Sequence, residues 1–135
     1  MITLIDASVA IKWYVENEPL RFEALQVLDQ IRNQPDRFAV PELFFNEMLS
    51  VLCRLSHHAN ETKEYVNELQ DLGFIRLDNG RETLSTAVTL AKTFNLSGYD
   101  AIYAANAQLI GGIWLTADKK AHKKILSLKI SRILE

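Results

Sequence analysis

The sequence predicts an α/β fold: a short parallel central sheet with helices on both faces. Two observations carry that expectation. Brief apolar runs recur along the chain, and stretches with helical apolar spacing separate them. Strands that alternate with helices pair in parallel, because each crossover needs a helix to return the chain. A third observation sets the scale. At 135 residues, 48% hydrophobic and 24% charged, the chain suits one globular domain over 1–135 with a substantial core.

The elements follow in order. Ile2–Ile5 is apolar and short, as a buried strand is. Val9–Glu16 fits a helix stopped near Pro19. Phe22, Leu25, Val27, Leu28 and Ile31 space themselves along a second helix. Phe38–Val40 is a strand before Pro41, and the apolar run Leu43–Leu55 is long enough for a helix. Glu61–Leu72 reads as a polar-faced helix that Gly73 ends. Phe74–Leu77 is the third strand. Leu84, Ala87, Val88 and Ala91 mark the next helix, and Tyr99–Leu109 an Ala-rich one that ends at Gly111-Gly112. Ile113–Leu115 is the fourth strand, a basic helix starts near Asp118, and Ile130–Leu134 is a short last strand.

Composition excludes several classes. Cys53 is the only cysteine, so no intrachain disulfide or Cys-based zinc site forms, which fits a reducing, cytoplasmic setting. No apolar run approaches a membrane span, and the N-terminus lacks the basic n-region of a secretory signal. The net charge of −2 is not that of a nucleic-acid coat. Charge is unevenly placed, however. Six of the 15 Lys and Arg fall in the last 17 residues, where Glu135 is the only acid.

Four carboxylates stand out: Asp6 after the first strand, Glu47 inside the apolar helix "LFFNEMLSVL", Asp100 in "SGYDAIYAANA" and Asp118 in "WLTADKK". Each has an ordinary explanation. Asp6 or Ser8 can cap a helix, as can Thr116 or Asp118. Ser97 and Asp100 have the spacing of a capping box. Glu47 lies beside a polar stripe of Asn46, Ser50 and Arg54, where it can be solvated.

Together the four say more. Strand ends and helix starts meet at one edge of such a sheet, where ligands bind. Two carboxylates about 4 Å apart repel by roughly 4 kcal/mol at an effective dielectric near 20. A converging set therefore calls for protons or cations, and all-oxygen donors suit Mg²⁺ or Mn²⁺. Such an ion beside a phosphodiester points to hydrolysis.

The chain resembles the PIN-domain ribonucleases, and among them the VapC-type toxins of toxin–antitoxin pairs. "IDASVAIKWYVENE" is similar to the family's opening motif and places its first Asp at Asp6. "VPELFFNEMLSVL" resembles the segment with the acidic helix residue, which falls on Glu47 rather than Glu42. "LAKTFNLSGYDAIYAANA" places the third acid at Asp100, and "LTADKKAHKK" the fourth at Asp118, with Thr116 before it. The resemblance implies a metal-dependent endoribonuclease. In it, Asp6, Glu47, Asp100 and Asp118 bind Mg²⁺ or Mn²⁺, and Ser8 and Thr116 orient them. Lys119, Lys120, Lys123 and Lys124 neutralise RNA phosphates, unless that helix face is merely solvated. The resemblance further implies an RNA substrate, a homodimer and a cognate VapB-type antitoxin.

Trp13, Trp114, Tyr99, Tyr103 and the phenylalanines are expected mainly in the core, and Cys53 with them. His57 and His58 are expected to face solvent. Two rival readings remain. One is a non-catalytic RNA- or partner-binding module on the same fold. The other is a receiver-like signalling domain using Asp6, Asp78, Thr116 and Lys119, although "DAS" lacks that class's adjacent acids and leaves Glu47 and Asp100 idle. No glycine-rich phosphate loop is present.

Overall fold

The computed structural model describes residues 1–135. Five strands form one sheet: β1 (Thr3–Ile5), β2 (Phe38–Pro41), β3 (Ile75–Leu77), β4 (Ile113–Thr116) and β5 (Ser131–Ile133). Their order is β3-β2-β1-β4-β5, and every neighbouring pair is parallel. From central β1 the chain builds outward through β2 and β3. It then returns to the other side of β1 for β4 and β5. The order reverses between β1 and β4, which is where an open α/β sheet leaves a crevice at its carboxyl edge.

Seven α-helices accompany the strands: α1 (Ala7–Ala10), α2 (Arg21–Asn33), α3 (Glu42–Leu55), α4 (Ala59–Gln70), α5 (Arg81–Phe94), α6 (Gly98–Ile110) and α7 (Lys119–Lys124). Successive strand residues point to opposite faces. Leu4 and Ile5 are both fully buried, as are Ala39 and Val40. Both faces of the central strands are therefore covered, the pattern of a parallel sheet. Register places Ile5 beside Leu115, so the residues following these two strands meet at the crevice.

The α6–β4 turn is tight. Gly111 closes α6 in the left-handed region (φ 65°), and a Cβ on Gly112 would stand 2.6 Å from the Ile2 carbonyl oxygen. That close approach lets Ile113 N donate to the Ile2 carbonyl and pair β4 with β1.

The structure departs from sequence expectation in three places. The helix expected over Val9–Glu16 is only α1 followed by a 3₁₀ turn over Ile11–Trp13. Arg21 closes that turn: its Nε donates to the Lys12 carbonyl and its Nη2 to the Trp13 carbonyl, satisfying acceptors at the end of the segment. Tyr99 and Phe22 are exposed, at 65% and 69%, while Trp13, Tyr103, Trp114, Phe38, Phe44, Phe45 and Phe74 are buried. Periodicity identifies an apolar face but not whether anything covers it. Cys53 is exposed rather than in the core, because with Leu49 it lies on the α3 side that opens into a groove against α4. His57 and His58 are exposed, as expected.

Candidate active site

Asp6 is the residue immediately after β1, and it caps α1: its Oδ2 accepts from Ser8 N at 3.0 Å. The same oxygen accepts from Thr116 Oγ1 at 3.3 Å, and Oδ1 accepts from the indole Nε1 of Trp114 at 3.1 Å. Asp6 is 8% exposed. Burial raises its pKa above the ordinary carboxylate range, against the pull of the hydrogen bonds from Ser8, Trp114 and Thr116.

Thr116 ends β4 and is fully buried. Its hydroxyl also accepts from Asp118 N at 3.0 Å. Ser8 Oγ lies 3.3 Å from Thr116 Oγ1 and accepts from Ala117 N at 2.9 Å. The two hydroxyls thus join the β1–α1 turn to the β4–α7 turn. Asp118, and not Thr116, caps α7: its Oδ1 accepts from Lys120 N and Ala121 N.

Glu47 arrives from α3 and Asp100 from the first turn of α6. Ser97 caps that helix by accepting from Asp100 N at 3.1 Å, so the capping signal and the site position coincide. Glu47 Oε1 accepts from Tyr103 Oη at 2.8 Å. Its pKa is pushed up to about 7, first by burial and then by the charges of Asp6 and Asp100, with Tyr103 acting the other way. The Asp100 pKa is raised by burial and by the charges of Asp6 and Asp118, while Ser97 and Lys124 oppose the rise. Each of the four acids therefore shares a field with at least one other, at the edge where β1 and β4 diverge.

Glu42 is not part of this group. Arg76 of β3 holds it in a two-pronged pair, Nε to Oε1 and Nη2 to Oε2, both at 2.8 Å. That pair lowers the Glu42 pKa. The lysines also divide. Lys124 Nζ donates to the Asn95 carbonyl at 2.8 Å and favours the charged form of Asp100. Lys119, Lys120 and Lys123 are exposed on α7 and make no ion pair, since the two ion pairs of the chain are Arg32–Asp29 and Arg76–Glu42.

The acids supply hard oxygen donors, and three of them resist ionisation because buried negative charge lacks a counterion. That is the chemistry a divalent cation relieves. As the side chains stand, no three of them come within reach of one ion. Mg²⁺ keeps several of its waters and takes only one or two carboxylates directly, so the donor set fits it without closer approach.

Sequence reading missed Tyr103 and Trp114 as members of the site and assigned them to packing. A signal was present. Tyr103 lies one helical turn after Asp100, and Trp114 shares a strand face with Thr116 two residues on.

The sequence matches the PIN domain family over residues 3–125. No curated protein matches it. Solved structures do. A chain of a toxin–antitoxin complex from Klebsiella pneumoniae superposes with a TM-score of 0.71 at 19% identity, covering 96% of this chain and 95% of that one. A chain of VapBC2 from Rickettsia felis, bound there to a DNA fragment from its promoter, gives 0.74 at 14% identity and covers all of both chains. VapBC-1 from nontypeable Haemophilus influenzae gives 0.73 at 16%, covering 99% and 98%. At these identities the likeness is one of fold. No helix is long and apolar enough to cross a membrane.

Proposed function

Because the chain belongs to the PIN domain family, we propose that it is a metal-dependent endoribonuclease and the toxin of a VapBC-type toxin–antitoxin pair. PIN domains are generally nucleases, and they typically use a divalent metal. One observation carries the reading: Asp6, Glu47, Asp100 and Asp118, from four separate segments, share one electrostatic field at the β1/β4 crevice.

A bound Mg²⁺ or Mn²⁺, held directly by one or two of these four residues and through water by the others, would supply Lewis acidity toward phosphoryl oxygens and a nucleophilic water near neutral pH. The chain's own residues do the rest. Ser8 N, Thr116 and Trp114 fix the Asp6 carboxylate in one orientation. Tyr103 fixes Glu47. Lys119, Lys120 and Lys123 present unpaired charge on the helix that begins at Asp118, and they neutralise RNA phosphates flanking the scissile bond.

The fold shared with toxin–antitoxin structures supports a cognate VapB-type antitoxin; the homodimer rests on the family resemblance of the sequence alone. An antitoxin arginine paired with the acidic cluster would close the site to RNA. A non-catalytic binding module is the second reading, and it does not require three acids within reach of one ion.

Cleavage of labelled total RNA by the antitoxin-free protein separates the two. Discrete fragments are expected with Mg²⁺ or Mn²⁺, and none with EDTA or in Asp6→Asn. Intact RNA under every metal, from folded protein that binds RNA, would establish the binding module instead.

A further inference from the structure

Under the carboxylates lie two buried aromatic rings that do more than fill space. Tyr103 and Trp114 are 1% and 0% exposed, and their rings stack with centroids 5.7 Å apart and planes 14° apart. Each ring carries one polar atom, and both polar atoms are turned to acids of the site. Trp114 Nε1 donates to Asp6 Oδ1, and Tyr103 Oη donates to Glu47 Oε1.

We propose that Tyr103 and Trp114 form one stacked unit that positions Glu47 and Asp6 relative to each other as metal ligands. The inference rests on the metal-site reading above. Glu47 comes from α3 and Asp6 from the end of β1, so no local backbone geometry sets their relation. The ring pair does, because α6 and β4 hold the two rings against each other. The hydrogen bonds decide which oxygen is presented. A carboxylate has about two lone pairs per oxygen. On Asp6, Oδ2 already accepts from Ser8 N and Thr116, whereas Oδ1 accepts from Trp114 alone. The oxygen left with accepting capacity is the one the indole aims.

The test uses Tyr103→Phe, which removes one oxygen and is the decisive variant, and Trp114→Phe, which removes the indole N–H together with part of a buried ring. Mn²⁺ affinity is measured by titration calorimetry alongside melting temperature, and tryptophan emission is followed during Mg²⁺ addition. Both variants are expected to stay folded and to bind Mn²⁺ about 10- to 100-fold more weakly. In a Glu47→Gln background, Tyr103→Phe is expected to add little, because its partner is gone. The Mg²⁺-dependent emission change is expected to vanish in Trp114→Phe and persist in Tyr103→Phe. Wild-type Mn²⁺ affinity in a folded Tyr103→Phe protein would overturn the proposal. If the wild type binds Mn²⁺ but leaves RNA intact, the nuclease reading fails while the positioning role stands. If the wild type binds no Mn²⁺, both fall.

Discussion

Thr116 Oγ1 donates to Asp6 Oδ2 across 3.3 Å, joining two residues 110 positions apart at the carboxyl ends of adjacent central strands. The same hydroxyl accepts from Asp118 N. One buried oxygen thus ties the first acid of the site to the last.

Thr116→Val removes that oxygen at nearly constant shape. RNA cleavage is expected to fall about 10- to 100-fold, the usual effect of losing a group that orients a metal ligand. Leaving the Asp118 amide without its acceptor is expected to cost about 1–3 kcal/mol of stability in denaturant melts. Wild-type turnover in this variant would show that Asp6 needs no hold from β4.

The metal-free protein is expected to lose stability as pH rises. Asp6, Glu47 and Asp100 all have folded pKa values raised above their ordinary ones, and Glu47 reaches about 7. Their contribution is fully present below the unfolded value, where both states are protonated. It is lost as pH climbs through the folded value, because deprotonation then favours the unfolded chain. Calorimetric melts in EDTA are expected to run higher at pH 5 than at pH 8. Glu47→Gln should flatten the slope, and Mg²⁺ should reverse it. A melting temperature that rises steadily over this range in EDTA would contradict the shared field.

The unpaired lysines of α7 set a salt dependence. In the Asp6→Asn background, where RNA stays intact, the slope of log affinity against log salt reports how many phosphates the protein neutralises. Replacing Lys119, Lys120 and Lys123 by Gln is expected to shallow that slope by roughly 0.7 for each phosphate of single-stranded RNA that is no longer neutralised. An unchanged slope would make this helix face a solvated surface.

Gly112→Ala tests the fold beneath the site. The added Cβ would meet the Ile2 carbonyl at 2.6 Å, a backbone atom that cannot rotate away. A loss on the order of 1–3 kcal/mol is expected from this overpacking. Wild-type stability would mean that β1 and β4 can separate at their starts without cost.

Much of this architecture is legible in local pattern. The runs Ile2–Ile5 and Ile113–Leu115 announce strands because they are short and mostly apolar, and both faces of their sheet are indeed covered. Ser97 three residues before Asp100 announces a helix start, and α6 begins there. The change from α1 to a 3₁₀ turn was not legible, and the side chain that satisfies the last carbonyls of that turn, Arg21, lies outside the segment. The separation of Glu42 from Glu47 was legible only through the motif resemblance, which placed the acid at Glu47, and not through local pattern. Both acids sit on α3, and only the position of Arg76 on β3 takes Glu42 away from the site.

The sequence by itself determined the alternation of strands and helices, the parallel sheet, and the placing of Asp6 and Asp118 after strands at one edge of that sheet. These follow from periodicities of two and 3.6, which act over a few residues. Tertiary structure alone decided which side chains meet. Glu47 finds Tyr103 across 56 positions and Asp6 finds Trp114 across 108. Such meetings depend on how α3 and α6 seat against the sheet. Buried hydroxyls and indoles settle on whichever acceptor that packing brings within reach, because leaving them unpaired would cost about 1–3 kcal/mol each.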